Sequence, residues 1–160
     1  FKQKTAYEIP LRLVGSEMCI RDRDSKAAGL YMICTLSKHE AEKQGYTDSL
    51  MLDHEGNIAE ATSANIFFKD DKGELHTPIP DSFLDGITRK TVIDLAKSKN
   101  IKIHERKISP DELSNFKGCF ITGTAAEITP VGNIIDNKFE VCNLIKDLYA
   151  SYEALVGKNS

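Results

Sequence analysis

Residues 121–131 read Ile-Thr-Gly-Thr-Ala-Ala-Glu-Ile-Thr-Pro-Val and follow directly on Cys119 and Phe120. The apolar residues predict a short buried strand over residues 118–121, which runs into small and hydroxylated residues. Small residues allow backbone N–H groups to approach an anion closely, because no bulky side chain stands between them. On this local chemistry alone an ordinary strand-to-turn junction is the favoured interpretation, since turns that contain Gly-Thr are common.

A second stretch offers the same kind of chemistry. Residues 84–89 read Leu-Asp-Gly-Ile-Thr-Arg and precede an amphipathic pattern that predicts a helix over residues 88–100. The free N–H groups at the start of a helix form a ready anion site. Two stretches that each offer N–H groups and a threonine hydroxyl predict one phosphate held from two sides.

Together the two motifs resemble those of a known family. The run Gly-Thr-Ala-Ala-Glu-Ile-Thr-Pro-Val, with Leu-x-Gly-Ile-Thr-Arg upstream, is similar to the fold-type-IV pyridoxal-phosphate (PLP) aminotransferases, most of all to their branched-chain amino acid members. The resemblance covers roughly residues 25–158. It implies a mixed, α+β fold with a strand-rich core and outer helices, like the larger C-terminal domain of these enzymes. It also implies PLP as the cofactor, and amino transfer between a branched-chain L-amino acid and 2-oxoglutarate.

Lys26 and Tyr31 belong to the segment Lys-Ala-Ala-Gly-Leu-Tyr. The resemblance implies that Lys26 forms the Schiff base with PLP and then moves the substrate Cα proton as general acid and base. Tyr31 would hydrogen-bond the phenolic oxygen of the cofactor. The residues alone leave an exposed lysine and a packed, half-buried tyrosine open as alternatives.

Glu60 and Asn65 lie in the segment Glu-Ala-Thr-Ser-Ala-Asn-Ile-Phe. The resemblance implies that Glu60 pairs with the pyridine nitrogen of PLP, where a carboxylate keeps the nitrogen protonated. Asn65 matches the family asparagine nearby. The residues alone also allow a solvent-facing glutamate in a strand and an asparagine that caps a turn.

The resemblance assigns the phosphate and the substrate carboxylate to backbone groups of the two opening motifs. The phosphate would bind the N–H groups of Ile87 and Thr88 and the hydroxyl of Thr124, with Leu84 and Gly86 in the same cofactor-binding loop. The substrate carboxylate would bind backbone groups at Ala125 and Ala126.

The remaining pattern predicts strands and helices around these motifs. Strands are expected over residues 49–52, 58–62, 65–69, 73–77 and 101–107, with a hairpin over 131–139 that turns at Asp136 and Asn137. Helices are expected over 25–44, 88–100, 110–114 (after the cap Ser109) and 141–156. The apolar face of the last helix is expected to consist of Leu144, Ile145, Leu148, Tyr152 and Leu155.

Composition narrows the class of protein. The 160 residues suffice for one domain, and the formal net charge of −3 comes without a basic patch for nucleic acid. No apolar run is long enough to span a membrane. The four cysteines form no Cys-x-x-Cys pair and the four histidines lack close ligand spacing, so no metal site is predicted. Scattered free cysteines favour a reducing cytoplasm.

The first 23 residues do not read like the start of this domain. Residues 2–9 and 14–22 resemble translated sequencing-adaptor and transposase-end strings, so residues 1–23 are interpreted as foreign or disordered and the domain as residues 24–160. Deleting residues 1–23 is expected to leave the stability of the domain unchanged or improved. A native arm or a short signal is the alternative, although residues 11–14 are too few for the apolar region of a signal peptide.

On this interpretation the family's smaller N-terminal domain is missing. That domain supplies a phosphate-binding arginine, one wall of the substrate pocket and part of the dimer contact, so the chain alone is expected to be an inefficient enzyme. The full-length protein is expected to form a homo-oligomer. A fold-type-IV lyase such as aminodeoxychorismate lyase, a D-amino acid aminotransferase and a non-catalytic fragment stay open as alternatives.

Overall fold

The computed structural model describes residues 7–9 and 11–12 through their backbone, and residues 32–157 in full. The strands are β1 (Tyr7–Ile9), β2 (Leu11–Arg12), β3 (Leu50–Leu52), β4 (Ile58–Ala61), β5 (Asn65–Lys69), β6 (Leu75–Thr77), β7 (Ile103–Glu105), β8 (Gly118–Gly123), β9 (Glu127–Ile134) and β10 (Asn137–Lys138). The helices are α1 (Met32–Lys43), α2 (Ile87–Ser98) and α3 (Asn143–Leu155), with a short 3-10 helix at Pro110–Asn115.

The described strands form two sheets. The larger has the order β1-β9-β8-β5-β6-β7, with β10 paired to β9, and the smaller has the order β2-β3-β4. Strand β8 is antiparallel to both of its neighbours, with Thr122 opposite Asn65 in β5 and opposite Ile128 in β9. Strands β6 and β7 are parallel, so the chain needs a crossover between them, and α2 supplies it.

The larger sheet carries a different core on each face, because successive side chains of a strand point to opposite sides. On one face, Ile66 and Ile121 pack towards the smaller sheet. On the other face, Phe67 and Phe120 stack with their ring centroids 5.0 Å apart and pack under α2 and α3. The expected mixed fold, with a strand-rich core and helices outside, is confirmed.

Several elements confirm the local sequence pattern. Strand β5 has the predicted bounds. The 3-10 helix begins after the predicted cap Ser109, whose hydroxyl accepts a hydrogen bond from the Asp111 N–H, and Glu112 completes a capping box. Gly45 ends the first helix with a φ of 86°, a conformation that glycine adopts at little cost.

Three predictions about the C-terminal half are wrong. Residues 127–130 form the start of β9, because they pair with β8 across a tight turn at residues 124–126. The next turn lies at Ile135 and Asp136, since Asn137 already pairs with Ile134, and Ile135 takes a left-handed φ of 53°. The side chain of Leu155 is 63% exposed because α3 ends there, one turn beyond the part of the helix that covers the sheet.

Residues 1–23 are described only at two short strands. Strand β1 pairs in parallel with β9, and β2 pairs in parallel with β3. The other residues of this segment lie outside the described part of the chain, and its foreign origin stays a prediction. In the described residues, no helix combines the length and apolar character needed to cross a bilayer.

Candidate active site

Asn65 joins a buried carboxylate to the loop that precedes α2. Its side-chain N–H donates to the backbone oxygen of Leu84 at 2.8 Å and to the Glu60 carboxylate at 3.3 Å. Its side-chain oxygen accepts a hydrogen bond from the Gly86 N–H at 3.2 Å. The structure therefore brings together Glu60, Asn65, Leu84 and Gly86, which lie up to 26 residues apart in the sequence.

Gly86 allows the start of α2 to lie directly against Asn65. A Cβ atom at residue 86 would lie 2.5 Å from the Asn65 side-chain oxygen, so any other residue would force either the Asn65 side chain or the helix start to shift. Gly86 is the N-cap residue and supplies no side-chain cap. The N–H groups of the first turn, at Ile87 and Thr88, therefore have no intrahelical acceptor and lie at the positive end of the helix dipole.

Glu60 is buried, with 3% of its surface exposed, although it alternates with alanines in β4. The interpretation of Glu60 as a solvent-facing strand residue is therefore wrong. A buried carboxylate needs hydrogen-bond donors or a cation, and Asn65 supplies one donor. Asn65 thus supplies part of the hydrogen bonding that keeps the Glu60 carboxylate in the interior.

A second buried carboxylate lies in the same region. Asp48 accepts hydrogen bonds from the Ser49 N–H at 2.8 Å and from the Thr62 hydroxyl. Burial, followed by the negative charges of Glu60 and Asp48, raises the pKa of the Cys34 thiol from 9.0 to about 11. Cys34 therefore stays a neutral thiol near pH 7.

Arg89 is a site residue to which sequence analysis gave no role. Its side chain is 1% exposed, and its guanidinium donates to Asp85 at 2.8 Å, to Glu105 at 2.8 Å and to the backbone oxygen of Pro78 at 3.0 Å. It thus ties both ends of the loop at residues 78–85 to α2 and β7. One sequence signal could have revealed it, because Arg89 shares the buried face of α2 with Val92 and Ala96 and follows Asp85 at helical spacing.

The turn between β8 and β9 contains the other predicted contacts. Thr124 and Ala125 are exposed and Ala126 is half-buried. The Thr129 hydroxyl donates to the backbone oxygen of Ala126 at 2.6 Å and stabilises the turn. Since Asn65 pairs with Thr122, this turn and the start of α2 lie at the same end of the larger sheet.

The chain is similar in sequence to known proteins. The family model described as amino-transferase class IV matches residues 21–134. The chain belongs to this family. It is 48% identical over 110 residues to a probable branched-chain-amino-acid aminotransferase of Rickettsia felis, and the alignment covers 69% of this chain and 38% of that protein. It is 39% identical over 114 residues to the branched-chain-amino-acid aminotransferase of Pseudomonas aeruginosa, and this alignment covers 71% of this chain and 37% of that protein.

Solved structures resemble the whole described part of this class IV aminotransferase chain. A branched-chain aminotransferase from Thermoproteus uzoniensis, crystallised with norvaline, superposes with a TM-score of 0.87 at 30% identity. The match covers 99% of this chain and 54% of that one. The class IV chain therefore spans about half the length of such a solved relative, and 38% of the Rickettsia felis protein.

Two predicted site residues of this class IV chain belong to the segment before α1. Lys26 and Tyr31 lie outside the described residues, which resume at Met32 with α1. Their predicted roles, like those of the other site residues, stay predictions. In the part of the chain that the structure describes, no group of three or more histidine, cysteine, aspartate or glutamate side chains is arranged to hold a metal ion.

Proposed function

We propose that the full-length protein carrying this chain is a PLP-dependent branched-chain aminotransferase. It exchanges an amino group between leucine, isoleucine or valine and 2-oxoglutarate. The family and the names of the relatives support the reaction. The observation that carries the proposal is the hydrogen bonding of Asn65, which links buried Glu60 to the uncapped start of α2.

The residues present fit the cofactor at both of its ends. PLP has a phosphate at one end and a protonatable ring nitrogen at the other. A helix start without a side-chain cap, where Gly86 lies against Asn65, suits the phosphate. A buried carboxylate suits the protonated nitrogen. Among the solved structures that this chain resembles is an aminotransferase from Brucella abortus bound to PLP, which superposes with a TM-score of 0.87 at 26% identity.

When bound, PLP supplies a ring that accepts the electrons released from the substrate Cα. Glu60 holds the proton on the ring nitrogen, and Asn65 orients the Glu60 carboxylate. The N–H groups of Ile87 and Thr88, with the Thr124 hydroxyl and the loop at Leu84 and Gly86, hold the phosphate.

The remaining assignments concern the reacting end of the site. Lys26 attaches the cofactor and moves the Cα proton, and Tyr31 donates a hydrogen bond to the phenolic oxygen. Backbone groups at Ala125 and Ala126 hold the substrate carboxylate, which orients the Cα–H bond. Each of these roles is carried over from the resemblance onto the matching position of this chain.

The test is PLP binding followed by substrate choice in the full-length protein. Addition of PLP should give a visible absorption band, and leucine with 2-oxoglutarate should then yield glutamate. Absence of the band would contradict the proposal and favour a non-catalytic fragment. Turnover only with D-amino acids, or release of pyruvate from aminodeoxychorismate, would instead favour one of the other class IV activities.

We further infer that the protein acts in a reducing compartment such as the cytoplasm, and as a homo-oligomer. Cys34, Cys119 and Cys142 form no disulfide, which supports the first inference. The oligomer is inferred from the family resemblance. Cell fractionation tests the compartment, and light scattering of the full-length protein tests the assembly. Export from the cytoplasm or a monomeric mass would contradict the respective inference.

A further inference from the structure

Thr122 carries a buried hydroxyl that finds no partner. The residue is 1% exposed, and its Oγ1 is one of three buried hydroxyl oxygens in the described residues that make no hydrogen bond. Two other buried threonines differ from it. The hydroxyl of Thr77 donates to the backbone oxygen of Ile66 at 2.9 Å, and that of Thr129 to the backbone oxygen of Ala126 at 2.6 Å. An unpaired buried hydroxyl destabilises the unliganded fold, because it has lost water without gaining another partner.

The register of the sheet locates Thr122 within the candidate site. It lies directly opposite Asn65 in an antiparallel pair, so the two side chains share one face of the sheet. That face carries Phe67 and Phe120, two residues further along each strand, and packs under α2. Because Asn65 also binds the Gly86 N–H, the start of α2 lies over this end of the face.

Thr122 is therefore close in the fold to both stretches that offer N–H groups. It lies opposite Asn65, which binds the start of α2, and Thr124 follows two residues later in the turn. A buried hydroxyl at this end of the sheet can donate to an anion together with the helix N–H groups. The buried position and the missing partner are observations independent of the helix terminus.

We propose that Thr122 is a cofactor-contacting residue whose hydroxyl donates a hydrogen bond to a phosphate oxygen of PLP. This inference rests on the proposed function and adds to it a residue that the sequence motifs did not suggest. The hydroxyl stays unpaired in the unliganded protein and gains its acceptor when the phosphate binds. Thr122 thus lowers the stability of the unliganded fold and raises the affinity for the ligand.

The opposite effects of Thr122 on the stability of the unliganded fold and on PLP affinity can be tested by substitution. In the full-length protein, Thr122→Val keeps the shape of the side chain and removes the hydroxyl. We expect an unchanged or higher melting temperature without PLP, and an increase of about tenfold in the Kd for PLP, which corresponds to about 1.4 kcal/mol. The Kd for pyridoxal, which lacks the phosphate, should not change. Thr122→Ser should restore most of the PLP affinity because it keeps the hydroxyl.

Thr77→Val is the matched control, since it removes a buried hydroxyl that already has a partner. It should lower the melting temperature and leave the Kd for PLP unchanged. A Thr122→Val variant with unaltered PLP affinity would overturn the proposal for Thr122 alone. So would an equal loss of affinity for pyridoxal, or failure of Thr122→Val to fold, which would show that the hydroxyl serves the unliganded fold. Failure of the unsubstituted protein to bind PLP would overturn the proposed function as well.

Discussion

Replacing Arg89 by methionine tests whether the loop at residues 78–85 is held by a single buried cation. Methionine keeps much of the unbranched stem and removes the guanidinium. Three acceptors then lose the hydrogen bond from Arg89, namely the carboxylates of Asp85 and Glu105 and the backbone oxygen of Pro78. Removing one partner from a buried ionic group costs about 3–5 kcal/mol.

The structure places the expected cost below that range. The side chains of Asp85 and Glu105 are 26% and 43% exposed, so water can solvate them once Arg89 is gone. Asp85 also keeps Lys90 at 3.3 Å. In addition, the Arg89 Nε is buried without a partner, and its removal offsets part of the loss. We therefore expect the free energy of unfolding to fall by about 2–3 kcal/mol, or roughly 4–12 °C in Tm for a chain of this size.

Urea and thermal unfolding of the full chain measure this effect, with Lys90→Met as the control. Lys90 also pairs with Asp85 but is 57% exposed, so its replacement should change the free energy of unfolding by less than about 0.5 kcal/mol. Arg89→Lys should fall between the two variants, because an ammonium cannot reach three separated acceptors in the geometry of a planar guanidinium. If Arg89→Met were as stable as Lys90→Met, the reasoning about this clamp would be refuted.

Three further predictions concern the chemistry of the site. Glu60→Gln in the full-length protein should lower turnover by roughly 10²-fold while PLP still binds, because the charge opposite the ring nitrogen is lost and the phosphate contacts remain. The exposed control Glu42→Gln should leave turnover unchanged, and unchanged turnover in Glu60→Gln would contradict the role of Glu60. Lys26→Ala should abolish turnover and leave the fold intact, unlike Lys43→Ala, and borohydride reduction with peptide mapping should label Lys26; a label on another lysine would exclude the assignment. Cys34 should resist iodoacetamide near pH 7 and react faster as the pH approaches its pKa of about 11, and rapid labelling of the folded protein at pH 7 would contradict the burial of this thiol. Between the ordinary thiol pKa and this value the folded state binds more protons than the unfolded state, so the free energy of unfolding should fall as the pH rises through that window.

Local sequence signals correctly predicted the strands and helices that are determined by residues close to one another in the sequence. Strand β5 is a run of apolar residues bounded by turns, and the 3-10 helix has a complete capping box with a proline in its first turn. Helix α2 combines a glycine before its first turn with apolar residues at helical spacing. In each case the residues that determine the element are neighbours in the chain.

The wrong or missing predictions concern positions whose structure depends on residues distant in the sequence. Residues 127–130 become a strand because β8 lies beside them, and this pairing is not visible in a stretch that contains Pro130 and small residues. The burial of Glu60 depends on Asn65 and on the loop at Leu84. Buried Arg89 has an ionic partner in Glu105, which lies 16 residues later in the sequence. Thr122 belongs to the strand-to-turn motif at residues 121–131, but its missing hydrogen-bond partner depends on the packing of β5 and α2 around it.

The way in which α2 both begins at the site and packs along the sheet has a consequence for ligand binding. Its first turn faces the space beside Asn65, while Val92, Ile93 and Ala96 of the same helix lie in the core under α2 and α3. Moving the helix start by even a fraction of a turn would pull these side chains out of their packing, which a close-packed core resists. The N–H groups of Ile87 and Thr88 are therefore preorganised, so a phosphate that arrives there meets donors already in position and little of its binding energy is spent on ordering the protein.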